Sequence, residues 1–209
     1  MRRAVLAGCL TVLLAAPAAD GTPLRAEAGL FGGVLRLDGR LRDYRWDGAA
    51  RPVWGARAAA GSDRSFLGLR CWRASTTQGT GIPGIEGPAV TLTGIDLALE
   101  VLLAEAAGFG LSGIAGGGAL LIRYAPERLV LAGPAGESFE VRFDGTIHPT
   151  ATAGIVLRRS LLPGAALALS LERSYLRMET AHRDGGVIRR GDETFGNWSA
   201  RLGLDMGRI

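Results

Sequence analysis

The sequence predicts an all-β chain that closes on itself as an eight-stranded antiparallel up-and-down barrel. Three observations predict it. Glycine supplies 32 of the 209 residues, about twice its ordinary share, with no triplet period. An interior glycine costs a helix about 1 kcal/mol, so this composition disfavours a helical bundle. Eight segments alternate apolar and polar residues with period two, and turn signals separate them. The connections between those segments alternate long with short.

The length suits one domain with a sizeable core. All basic residues are arginine, and the formal net charge is +4. Two of those charges are Arg2 and Arg3, so the remainder carries +4 − 2 = +2, too little to indicate a nucleic-acid partner. Residues 1–19 read as a signal peptide. Arg2 and Arg3 form its basic start, Ala4–Ala15 its apolar run and Ala16-Pro17-Ala18 its cleavage site. Leu6-Ala7-Gly8-Cys9 matches a lipobox, but only three apolar residues precede it, so cleavage is the favoured reading over lipidation. Cleavage leaves residues 20–209 as the barrel and Cys71 as its one cysteine, which excludes an internal disulfide. With only His148 and His182 besides, no metal site, cofactor site or catalytic set is assigned.

The strands are expected at Ala28–Leu37, Val53–Gly61, Ser65–Ala74, Val90–Leu103, Ala107–Arg123, Thr150–Arg159, Ala165–Met178 and Phe195–Met206. In the fourth, Thr93, Ile95, Leu97, Leu99, Val101 and Leu103 form one face, opposite Gly94, Asp96, Ala98 and Glu100. In the seventh, Leu167, Leu169 and Leu171 lie opposite Ala168, Ser170 and Glu172. The eighth sets Trp198, Ala200, Leu202, Leu204 and Met206 against Asn197, Ser199, Arg201, Gly203 and Asp205.

Short turns are expected at Gly61–Arg64, Ala104–Ala106 and Ser160–Gly164, and long connections at Asp38–Pro52, Ser75–Ala89, Tyr124–Pro149 and Glu179–Thr194. In an up-and-down barrel this order places every long loop at one end and every short turn, with both termini, at the other. Transmembrane barrels have that asymmetry. All four Trp and all three Tyr fall toward the long-loop end, and Trp54, Trp72, Tyr124, Tyr175 and Trp198 are the expected aromatic girdle there. Phe31, Phe66 and Phe109 lie near the other end.

If the aliphatic faces meet lipid, the opposite faces carry Arg36, Arg57, Arg70, Asp96, Glu100, Arg158, Glu172, Arg201 and Asp205. A barrel of eight strands is just wide enough for side chains to fill. The nine charges are therefore read as an interleaved arginine–carboxylate plug. Gly32, Gly55, Gly68, Gly94, Gly110, Gly116, Gly118, Gly154 and Gly203 are assigned to the same inward faces, where they leave room for long side chains. Asp38-Gly39 reads as a turn signal and an alternative hairpin tip. Arg128–Leu131 and Phe139–Phe143 alternate as a protruding hairpin suited to β-augmentation.

A signal peptide, eight alternating strands, four long and three short connections and a polar lumen together resemble the small outer-membrane β-barrels of the OmpA/OmpX type. The resemblance spans residues 20–209 and rests on architecture rather than on a motif. It departs at the end, Met206-Gly207-Arg208-Ile209, where such barrels commonly finish with an aromatic residue. It implies an integral outer-membrane, porin-like protein with a structural or surface-interaction role and at most weak pore activity. Its implied partners are outer-membrane lipids, the barrel-assembly machinery and an extracellular partner at the long loops.

Two other functions fit parts of the pattern. An outer-membrane lipid-modifying hydrolase, similar to lipid A deacylases, needs a serine activated by a histidine. His148 and His182, with Ser138, Ser174, Glu137 and Glu179, are the available groups, and His148-Pro149-Thr150 is the nearest echo of such a site. A soluble, secreted lipocalin-like barrel instead requires the aliphatic faces to point inward around a ligand. Gly108-Phe109-Gly110-Leu111-Ser112-Gly113 matches the dinucleotide fingerprint, but the glycines after it cannot hold the helix which that chemistry needs.

Overall fold

The computed structural model describes residues 24–82, 84–132, 137–184 and 187–208; the expected signal peptide, residues 1–19, lies outside them. The strands are β1 (Arg25–Arg36), β2 (Arg51–Gly61), β3 (Ser65–Thr77), β4 (Ala89–Ala106), β5 (Phe109–Ala125), β6 (Arg128–Ala132), β7 (Ser138–Arg142), β8 (Thr146–Leu162), β9 (Ala165–Asp184) and β10 (Val187–Arg208). Eight of them close a barrel in the order β1-β2-β3-β4-β5-β8-β9-β10, and β6 pairs with β7 apart from it. Every neighbouring pair in the ring is antiparallel.

The ring closes with a stagger. Cross-strand partners lead from Ala28 through Ala58, Leu69, Leu97, Gly117, Ala151 and Tyr175 to Gly196. Ala28 itself meets β10 at Met206, ten residues further along. That shear tilts the strands, and the tilt sets how wide the interior is.

All eight expected barrel strands occur, most of them longer than the alternating pattern indicated. Three connections differ. The second short turn lies at Ala107 and Gly108, both at positive φ, because β4 continues through Ala104–Ala106 before a two-residue hairpin turn. Glu179–Thr194 is not a loop: β9 and β10 stay paired up to Asp184 and Val187. Asp38-Gly39 is not a hairpin tip either. Asp38 caps a short 3-10 helix, Gly39–Tyr44, by accepting the Arg40 N–H. The β6–β7 hairpin forms as the alternation at Arg128–Leu131 suggested, and its tip, 133–136, lies outside the described residues. Finally, Gly108–Gly113 opens strand β5 and no helix follows, so the dinucleotide reading fails.

The faces of the strands decide the rest. Leu30, Ile95, Leu97, Leu99, Leu169, Leu171, Leu202 and Leu204 are all exposed on the outside. Asp96, Glu100, Glu172, Arg201 and Asp205 are buried within. The soluble lipocalin-like reading required the opposite, and it falls.

Candidate functional site: the barrel interior

Each strand delivers alternate side chains to the interior, so a residue's parity fixes whether it belongs to the site. The charges that enter form two groups. Nearer the short turns, Arg57 and Arg158 meet Glu27, Glu100 and Asp205. Arg158 donates to Glu27 at 2.6 Å and to both Glu100 oxygens at 2.9 and 3.0 Å. Arg57 donates to Glu27 at 3.1 Å and Glu100 at 3.3 Å. Asp205 lies 3.4 Å from Arg57 and 3.2 Å from Arg158.

The second group lies deeper. Glu172, 2% exposed, accepts from Arg70 at 2.8 Å and lies 3.5 Å from Arg201. Asp96 lies 3.6 Å from Arg70 and accepts from the Trp72 indole at 2.9 Å and the Thr150 hydroxyl at 3.4 Å. The Arg201 guanidinium sits 5.1 Å from the Phe31 ring and 5.6 Å from the Trp72 ring, so ring faces take the place of several hydrogen bonds. Across both groups, four arginines face five carboxylates.

Eight of the nine residues expected in this network are in it: Arg57, Arg70, Asp96, Glu100, Arg158, Glu172, Arg201 and Asp205. Arg36 is not. On β1 the inward parity is Glu27, Gly29, Phe31, Gly33 and Leu35, and Arg36 faces outward. Gly32 is outward for the same reason, with Gly29 and Gly33 on the inside instead. Between Ala28 and Leu35 neither face of β1 carries a charge, so periodicity does not define its phase. Glu27, which reaches two arginines, is the functional residue the pattern missed.

Glycine makes the space. Gly29 is the cross-strand partner of both Arg57 and Asp205, Gly118 of Asp96, Gly154 of Glu172, Gly110 of Arg158 and Gly33 of Arg201. A Cβ on Gly29 would stand 2.1 Å from the Asp205 carboxylate.

Two girdle assignments are corrected. Trp72, only 6% exposed, lies inside against Gly94, where a Cβ would stand 2.1 Å from the indole. It shares the parity of Arg70, two residues earlier, so one face could not be lumen and girdle together. Tyr124 shares the parity of Leu120 and Ile122 and packs on the interior, with its ring 5.5 Å from Phe143. Trp54, Tyr175 and Trp198 are exposed on the outer wall.

The polar plug stops halfway. Toward the long loops the interior is apolar: Leu35, Val53, Trp72, Val90, Leu92, Leu120, Ile122, Leu176 and Phe195 form one cluster, closed over by Leu37, Leu41 and Trp46 from the first long connection. Asp38 locks that connection down. It accepts from Gly196 N–H at 2.7 Å, and its own N–H donates to Asn197 at 2.9 Å. Beside it the Arg40 guanidinium, opposed by burial and helped by the Gly196 and Arg40 N–H groups, holds its carboxyl down to about 2. The voids lined by the charged groups are small, about 10 and 40 Å³. A vestibule of about 350 Å³ opens at the short-turn end, lined by Glu27, Asp63, Glu105, Arg158 and Asp205 among others.

Among the described residues, those proposed for hydrolysis do not converge. His148 contacts the Thr146 hydroxyl at 2.9 Å. Thr150 turns instead to Asp96. Glu137 and Ser138 belong to the region of the separate β6–β7 hairpin, and Glu179 faces Arg190 at 3.7 Å. His182 falls in β9, with its side chain outside the described residues.

No protein-family model matches the chain, and no curated protein matches it. Solved structures do match. The outer membrane protein AlkL, determined in DMPC lipid bilayers, is 13% identical with a TM-score of 0.52, over 92% of this chain and 93% of its own. Neisserial surface protein A is 9% identical with a TM-score of 0.47, over 88% of this chain and 96% of its own. The N-terminal barrel domain of Pseudomonas aeruginosa OprF is 14% identical with a TM-score of 0.41, over 88% and 96%. The likeness to AlkL shows the fold of a small outer-membrane β-barrel.

Proposed function

We propose that this chain is an integral outer-membrane barrel with a structural and surface-interaction role and at most weak pore activity. One observation carries the reading: the wall is inverted relative to a soluble protein, with aliphatic side chains exposed outside and paired charges buried inside. In water an exposed belt of this extent would be an aggregation liability, whereas in lipid it is the favourable surface. From Ile95 to Leu103 on β4 every outward residue is aliphatic, and the belt covers about 26 Å of strand, or about 20 Å along an axis tilted by roughly 40°. That is comparable with the apolar band of such barrels, about 25 Å tall.

The packed interior supports a structural role over transport. The paired β9–β10 extension, the β6–β7 hairpin and the sealed first connection form a platform above the membrane, suited to an extracellular partner. Insertion would pass through the barrel-assembly machinery. The test is migration on a detergent gel. The refolded mature chain is expected to run as a compact band unheated and to shift on boiling. Recovery of the mature protein as a soluble periplasmic monomer would overturn the proposal.

A further inference from the structure

We infer that the outer wall at the long-loop end binds the phosphate groups of an anionic glycolipid, through Arg36, Arg73 and Arg173 set among Trp54, Tyr175 and Trp198. All six side chains are exposed on the outer face. Register makes them one patch. Trp198 of β10 is the direct partner of both Arg36 on β1 and Arg173 on β9. Trp54 of β2 pairs with Arg73 of β3, and β2 adjoins β1. The patch therefore runs across five consecutive strands at the upper edge of the aliphatic belt.

The patch is built for anions. Arg173 lies 5.1 Å from the Tyr175 ring and 5.2 Å from the Trp198 ring. Gly196, the partner of Tyr175, leaves it room, since a Cβ there would come within 3.0 Å of the guanidinium. Stacking of this kind fixes the plane of the guanidinium fork and leaves its edge free for a bidentate oxyanion.

None of the described residues supplies that oxyanion. Among the described residues none of the three arginines has an ion-pair partner. The arginines inside the barrel do, as does Arg177 higher on β9, with Asp192 at 2.8 Å. Three unpaired guanidiniums bordering hydrocarbon require counter-charge from the lipid, and a phosphorylated headgroup at that depth provides it. Zwitterionic phospholipid would bring its own ammonium to the same patch, so the occupant is the phosphorylated glycolipid of the outer leaflet, lipid A. This inference rests on the outer-membrane reading.

The test uses the full mature chain folded in detergent and checked by its heat-dependent gel shift. Native mass spectrometry then compares bisphosphorylated lipid A with the same lipid enzymatically dephosphorylated. The wild type is expected to retain the bisphosphorylated form at least about tenfold more strongly. The R36Q/R73Q/R173Q variant is expected to lose that preference, while R159Q, whose guanidinium stacks on Phe109 near the opposite rim, keeps it. If the triple variant does not fold, R173Q alone is read and is expected to weaken the preference. Equal retention of the two lipids by the wild type, or an undiminished preference in the variants, overturns the inference. Absence of the gel shift in the wild type would instead overturn the outer-membrane reading.

Discussion

Glu172 shows what a single side chain does inside this barrel. Its carboxylate is the nearest counter-charge to two buried guanidiniums, Arg70 and Arg201. Glu172→Ala leaves Arg201 without a carboxylate and Arg70 with Asp96 alone, 3.6 Å away, and is expected to cost about 3–5 kcal/mol of folding stability, read from urea-dependent loss of the compact gel band. A loss below about 1 kcal/mol would mean that water already neutralises these arginines. Most of this network was legible, because strands such as β4 and β9 carry aliphatic residues on one face and charges on the other. Arg36 and Glu27 were not, since Gly32, Gly33, Val34 and Leu35 give β1 no polar face to set its phase. Trp72 is legible as well: it shares the parity of Arg70, and parity overrides the membrane-interface preference of its indole.

At the scale of elements, the first long connection is a folded lid whose attachment is polar. Asp38 joins it to β10 through Gly196 and Asn197. Because its carboxyl is held at about 2, below the ordinary value, the lock contributes fully above about pH 4 and weakens as pH falls toward 2. Asp38→Ala is expected to loosen the lid by about 1–2 kcal/mol at neutral pH. Protease digestion of the intact folded chain checks this, with faster cleavage between residues 38 and 52 expected in the variant. Identical cleavage rates at pH 7 would show that Leu41 and Trp46 hold the lid without Asp38. The hairpin extension of β9 and β10 is not marked in the sequence because residues 179–194 carry polar groups at both parities, and the apolar Val187 and Ile188 are adjacent, so no alternation signals strands that rise beyond the apolar belt.

For the whole molecule, two unlike barriers lie in series along the axis: an ion-paired network toward the short turns and an apolar cluster toward the long loops. Either is expected to block ions, the first by filling the bore and the second by excluding water. The chain in a planar bilayer is therefore expected to show no sustained large openings, and shortening the lid across residues 39–47 is expected to leave it closed. Steady current from the shortened variant alone would show that the charged network does not seal the barrel.

The sequence by itself determined the number of barrel strands, the alternation of the first six connections and, on most strands, which face carries charge. These are local patterns, written in residue parity and turn chemistry. Only the tertiary structure decided the phase of β1 and the apolar upper half of the interior. Those depend on which residues from distant strands come to lie at one height. Closure with a stagger of ten residues sets that height, and it belongs to the ring rather than to any segment of it.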